Sequence, residues 1–190
     1  MTVKQEIKVF LASSRELELE RVYTGDLIND INTVLANIDA DVRIKLLKWE
    51  SFNPSFTGKR KQGEYDEQVK KADIFIVLFC SIAGDYTLEE VETAIIAQKQ
   101  YGKPKELVCY IKNYQGERKE VNDQKEKLSS VFKIDIYSDI ESYKLKTLQI
   151  FIPYLKNSGV NIAETDKFIS IDNKNIFRKA DVIHQKIQKN

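Results

Sequence analysis

The acidic segment Thr87-Leu-Glu-Glu90-Val-Glu92 is where this chain could do chemistry. It follows an apolar run, Asp73-Ile-Phe-Ile-Val-Leu-Phe-Cys80, through a small polar loop, Ser81-Ile-Ala-Gly-Asp-Tyr86. Such a run reads as a buried strand, and the residues after it as the start of a helix. A carboxylate at that junction suits cleavage of a glycosidic bond. It can steady an oxocarbenium-like transition state, attack an anomeric carbon or orient a sugar hydroxyl. With a cationic leaving group no general acid is needed, and one carboxylate suffices. The same residues also read as a capping box, with Thr87 at the N-cap and Glu90 reaching back to its amide. The helix dipole favours acids there by about 0.3–1 kcal/mol each, so Glu89 and Glu92 require no further role. Both readings of Glu90 stand at this level.

Other groups could converge on Glu90. Ser13 and Ser14 end the first strand-like run, Trp49 to Phe56 follow the second, and Ser81 to Tyr86 follow the third. Trp49 reads equally as packing at a strand end. Phe56, with Phe52, lies in a polar loop and is suited to stacking on a ligand or to burial in a partner. Arg60, within Lys59-Arg-Lys61, could pair with phosphates or simply be solvated.

Several chemistries are excluded. His184 is the only histidine, which removes Ser-His-Asp and Cys-His catalysis and most zinc sites, and no metal is expected. Neither GxGxxG nor GxxxxGK[ST] occurs among the seven glycines. Cys80 and Cys109 both lie in apolar runs and read as buried free thiols. Thirty basic residues balance 29 acidic ones for a formal charge of +1, which points to neither nucleic acid nor a membrane as partner. No apolar run reaches the roughly 20 residues that span a bilayer. The start, Met1 to Leu11, is too polar for a secretory signal, so a cytoplasmic protein is expected.

The elements that must position these residues alternate. Strands are expected at Glu6–Ala12, Asp41–Glu50, Asp73–Cys80, Leu107–Ile111 and Phe132–Tyr137. Ser13 or Ser14 would cap the first helix, Glu16 completing a capping box, with Leu27, Ile31, Val34, Leu35 and Ile38 on its buried face. A loop at residues 51–63 leads to a short helix, Glu64–Lys71. Further helices are expected at Leu88–Tyr101, stopped by Gly102-Lys-Pro104, and at Glu141–Lys156, with Leu145, Leu148, Ile152 and Leu155 inward. Between them, Asn113–Lys127 reads as loop plus solvated helix. Alternation of this kind gives an α/β fold, a five-stranded parallel sheet with helices on both faces. The pattern fades after Ser158, suggesting a domain at 1–157 and an appendage or linker at 158–190. That tail carries a candidate strand, Phe168–Ile171, and a terminal amphipathic helix.

Several of these segments, in order, resemble the bacterial TIR-like family. They are Val9-Phe-Leu-Ala-Ser-Ser14, Glu16 to Arg21, Trp49-Glu-Ser-Phe52, Arg60-Lys-Gln-Gly-Glu-Tyr65, Ala72-Asp-Ile-Phe-Ile76 and Gly84-Asp-Tyr-Thr-Leu-Glu-Glu90. The resemblance covers roughly residues 6 to 155. It implies a flavodoxin-like three-layer fold and, since many such domains cleave NAD⁺, an NAD⁺ glycohydrolase or ADP-ribose cyclase with NAD⁺ as substrate and no cofactor. The family pattern Trp-Cys-x-x-Glu-Leu-x-x-Ala maps its essential glutamate onto Glu90, with Tyr86-Thr87 in place of Trp-Cys. The implied pocket is lined by Ser13, Ser14, Trp49, Phe56, Arg60 and Tyr86. The loop at 51–63 corresponds to the family's BB loop and implies homo-oligomerisation. The family also implies a fused or associated sensor or NTPase module and a role in bacterial immunity.

Two other readings share these residues. One is a non-enzymatic TIR-like scaffold, in which Glu90 only caps its helix. The other is a nucleoside deoxyribosyltransferase-like enzyme, whose Glu-hydrophobic-Gly-x-Ala motif meets Glu92 where that family has glycine.

Overall fold

The structure, a computed structural model, describes residues 5–47 and 62–160. The chain divides into two compact units, Met1–Leu148 and Gln149–Asn190. The first holds the sheet: β1 (Gln5–Ser13), β2 (Val42–Leu47), β3 (Ile74–Phe79), β4 (Glu106–Lys112) and β5 (Lys133–Tyr137). All pair in parallel, in the order β2-β1-β3-β4-β5. The helices are α1 (Glu18–Asn37), α2 (Gln62–Lys71), α3 (Asp85–Tyr101), α4 (Lys119–Leu128) and α5 (Ile140–Asn157), the last running past the division. This is a flavodoxin-like three-layer α/β fold. Among the described residues no helix is long and apolar enough to cross a membrane.

Strand position explains strand composition. All six residues of central β3 are buried, as a strand covered on both faces requires. Edge strand β2 alternates instead, with Val42 and Ile44 buried and Arg43 and Lys45 exposed. Alternate residues of β1, β3 and β4 then build two different cores. On one face Phe10, Phe75, Val77, Leu107 and Cys109 pack with Val69 of α2, Val91 and Ala94 of α3, and Val121 and Leu128 of α4. Phe75 stacks on Phe10 with ring centroids 5.6 Å apart and meets Phe132 edge-on at 6.2 Å.

The opposite face is lined with hydroxyls. Tyr110 of β4 and Tyr137 of β5 meet Tyr143 of α5 at 5.7 and 5.1 Å. The Tyr143 hydroxyl shares a hydrogen bond with Thr24 Oγ1 of α1, and Thr24 Oγ1 lies 2.7 Å from the Glu20 carbonyl. The Tyr110 hydroxyl donates to the Lys146 carbonyl at 2.8 Å. Every one of these buried polar tips thus has a partner.

Three expectations need correction. Helix α3 begins at Asp85, with extended Gly84 as its cap; the Leu88 amide donates to the Gly84 carbonyl at 3.0 Å. Thr87 therefore lies inside the helix and caps nothing, and the box with Glu90 does not form. The glycine frees its carbonyl to start the helix earlier, and Asp85 meets the positive end of the dipole. In α5 the buried residues of the first unit are Tyr143, Lys144 and Thr147, whereas Leu145 is 55% exposed. Hydrogen bonding makes a tyrosine and a threonine better inward residues there than the leucine. Finally, Gln62 and Gly63, expected in the loop, are already helical in α2.

Other features match. Gly102 takes a left-handed φ of 68° and its amide donates to the Gln98 carbonyl at 2.9 Å, closing α3. Cys80 and Cys109 are buried free thiols. In the second unit Phe151, Leu155 and Val160 are buried, and Gly159, at φ 83°, turns the chain after α5. The segment Phe168–Ile171 and the terminal helix expected from sequence lie outside the described residues.

Candidate functional site

The strand order sets the place of the site. From β1 the chain crosses to β2 on one side and then to β3 on the other, so the carboxyl ends of β1 and β3 flank the switch point. Loops diverge there and leave a crevice, which is where open α/β sheets bind ligands. Ser13 ends β1 at this edge with Ser14 directly after it, and the loop after β3 leads into α3, which bears Tyr86 and Glu90.

Helix α3 turns Glu90 inward. Its buried residues are Thr87, Glu90, Val91, Ala94 and Ala97, a stripe at helical spacing. Glu90 is only 8% exposed and is the one acid on that stripe; Glu92 points to solvent and Glu89 is half-buried. It lies about 8 Å along the axis from the first helical residue, in the second turn rather than the first. Tyr86 projects outward and is 65% exposed. Ser14 is buried and Ser13 half-buried. The structure thus brings Ser13, Ser14, Tyr86 and Glu90 to one edge of the sheet. Trp49, Phe56 and Arg60, with most of the 51–63 loop, lie outside the described residues.

Neither serine caps a helix with its side chain. A 3₁₀ turn, Arg15–Leu17, intervenes before α1, and Ser13 and Ser14 bind elsewhere. Arg21 NH1 donates to Ser13 Oγ at 3.1 Å and to the Ser14 carbonyl at 2.9 Å, fixing the end of β1.

Glu16 also departs from the expected capping box. Its Oε1 accepts the Ser81 amide at 2.9 Å, the Ile82 amide at 3.2 Å and the Ser14 hydroxyl at 3.1 Å. Its Oε2 accepts the Ser81 hydroxyl. Loop amides must be paired, and this carboxylate satisfies two from the adjacent loop. Burial works against its charge, but the Ser81 hydroxyl, the two amides and the Ser14 hydroxyl together outweigh it and hold the pKa below the usual glutamate value.

A second carboxylate was not legible as functional in the sequence. Glu20, on the first turn of α1, is 1% exposed. Its Oε1 receives Lys112 Nζ from the end of β4 at 2.7 Å and the Tyr137 hydroxyl from β5 at 3.2 Å. Its Oε2 is buried without a hydrogen-bond partner. The available signal was positional: Glu20 falls in step with Leu17, Thr24 and Leu27, all buried. Burial, then Glu20, drives the Tyr137 hydroxyl far above its ordinary pKa.

Cys80 follows the last residue of β3 and feels the charge of both carboxylates. Burial, with Glu16 and Glu20, raises its pKa despite opposing pulls from Lys112 and Arg118. A thiol kept protonated is a packing group rather than a nucleophile. Among the described residues no group of three or more His, Cys, Asp or Glu side chains is arranged to hold a metal ion. The chain matches no family model, no curated protein and no solved structure.

Proposed function

We propose that this chain is a TIR-like NAD⁺ glycohydrolase or ADP-ribose cyclase, active after self-association, with Glu90 as its catalytic carboxylate and a role in bacterial immunity. One observation carries the reading. Glu90 is the single acid on the inward stripe of α3, beside the carboxyl ends of β1 and β3. Burying a carboxylate costs several kcal/mol unless it is compensated, so its place on the inward stripe sets Glu90 apart from Glu89 and Glu92. In the proposed reaction the C–N bond to nicotinamide breaks and its electron pair leaves on the pyridine nitrogen. Glu90 steadies the positive charge that develops on the ribose or holds the ribose hydroxyls. Water, or a nucleophilic atom of the same molecule, then captures the anomeric carbon and releases a proton in the hydrolytic case. Ser13, Ser14 and Tyr86 form the described part of the proposed pocket; Trp49, Phe56 and Arg60 are its proposed remainder.

The test is NAD⁺ consumption by concentrated or artificially clustered protein, with products resolved by chromatography and Glu90→Gln in parallel. Turnover that disappears in a folded Glu90→Gln variant is the expected result. Full activity in that variant would end the assignment. Exposed Tyr86 and Ile82 at the same edge favour, as a second reading, a scaffold that binds partners there. Concentration-dependent assembly with NAD⁺ untouched would select it.

A further inference from the structure

Glu16 links the two loops that flank the switch point. It belongs to the turn after β1, yet the amides of both Ser81 and Ile82, after β3, donate to its carboxylate. Only Ala83 and Gly84 separate this anchorage from the first residue of α3. The Gly84 carbonyl in turn accepts the Leu88 amide, so the loop passes directly into the helix that bears Tyr86 and Glu90. The end of β1 is itself immobilised by Arg21, through Ser13 and Ser14. A rigid strand end, a carboxylate clamp and a short lead into α3 thus form one continuous mechanical path.

We infer that Glu16 is a positioning residue for the carboxyl-edge site: by gripping Ser81 and Ile82 it fixes where Tyr86 and Glu90 stand relative to Ser13 and Ser14. The inference rests on Glu90 acting upon substrate. Glu16 does not replace Glu90 as the reacting carboxylate, because its oxygens are occupied by four donors. Displacement of a reacting group by about 1 Å can cost a hundredfold in rate, so a clamp two residues from the helix is well placed to matter.

The grip requires the ionised form. A protonated Glu16 turns one acceptor into a donor and cannot serve all four groups. The titratable neighbour facing it is the Cys80 thiol, which stays neutral. Glu20, Lys112 and Arg118 act electrostatically on Cys80, and Arg21 is engaged with Ser13 and Ser14. The clamp therefore releases as pH falls through the lowered pKa of Glu16, below the ordinary glutamate value.

The experiment uses the full chain in wild-type, Glu16→Gln, Glu90→Gln and Ser81→Ala forms. Amide resonances of Ser81 and Ile82 are followed by NMR on acidification, and NAD⁺ turnover is measured on clustered protein. In wild type both amides should titrate together, with a midpoint below the ordinary glutamate value. Glu90→Gln should keep that titration and lose turnover. Glu16→Gln should lose the titration and lower kcat about tenfold to a hundredfold, with KM within about twofold. Ser81→Ala, which deletes only the hydroxyl donor, should lower kcat less and guards against a Glu16 variant that fails to fold. Amides that do not titrate in wild type, or that still titrate in Glu16→Gln, overturn the clamp. Unchanged kcat in a Glu16→Gln variant whose amides no longer titrate overturns the positioning role. Normal amide titration without NAD⁺ turnover by wild type overturns the enzymatic reading and the positioning role with it, leaving Glu16 as a loop clamp alone.

Discussion

Replacing Lys112 with methionine isolates what the buried ion pair contributes. The Glu20 side chain is 1% exposed and that of Lys112 32%. Removing one partner of a fully buried pair costs about 3–5 kcal/mol, chiefly because the other charge is stranded. Here water reaches the ammonium end, and the Tyr137 hydroxyl remains on Glu20 Oε1 at 3.2 Å. Both soften the loss, to about 2–3 kcal/mol. For a chain of this size that is a fall in Tm of about 5–10 °C. The assay is thermal and urea unfolding of wild type, Lys112→Met, Glu20→Gln and the double variant. If the stranded charge is the cause, Glu20→Gln should restore at least about half of the stability lost in Lys112→Met. A single variant costing under about 0.5 kcal/mol, or a double variant that loses the sum of the two singles, would refute this account of the pair.

Three other outcomes are expected. Burial raises the hydroxyl pKa of Tyr110, Tyr137 and Tyr143, the last to about 12. Their contribution is therefore complete below the unfolded value near 10 and declines above it, by about 4 kcal/mol per pH unit for three groups. Tyrosinate absorbance should accordingly rise in step with loss of circular dichroism, and ionisation of all tyrosines near pH 10 in a still-folded chain would contradict it. Because the pKa of Glu16 is lowered by folding, its stabilisation exists above the unfolded value and is lost as pH falls through the folded one. The stability gap between wild type and Glu16→Gln should hence be present at neutral pH and close in acid; a gap that widens on acidification would have the wrong sign. Phe75→Ala, which removes a fully buried ring touching Phe10 and Phe132, should cost about 3–5 kcal/mol in urea unfolding, with Phe75→Leu well under half of that.

The fold was legible where burial writes directly into composition. The continuous apolar run of β3 and the alternation in β2 marked both as strands, and regular alternation of strand and helix pointed to the parallel sheet. Helix starts were less legible, because local chemistry competes with tertiary demand. Thr87-Leu-Glu-Glu90 has the letters of a capping box, but Gly84 caps the helix three residues earlier, nearly a full turn, and Glu90 is buried. Ser13-Ser-Arg-Glu16 has them too, yet Glu16 answers two amides 65 and 66 positions away in sequence, a pairing that no local pattern encodes. In α5 apolar periodicity placed Leu155 inside but also Leu145, which is exposed, while Tyr143 packs its ring against Tyr110 and Tyr137. Residues 13, 14, 86 and 90 follow the ends of β1 and β3 in the chain, so strand order alone places them near the switch point.

The unequal lining of the sheet's two faces bears on how freely this sequence can drift. Against α2, α3 and α4 the contacts are aliphatic and aromatic, where volume-conserving exchanges are tolerated. Against α1 and the start of α5, Thr24, Tyr143, Tyr137 and Glu20 must each find a particular atom on another element. A substitution there succeeds only with a compensating change at its partner. The second face should therefore accumulate changes in pairs while the first accumulates them singly, so that exhaustive single-residue mutagenesis would find apolar exchanges of similar volume tolerated on one side of the sheet and few exchanges of any kind on the other.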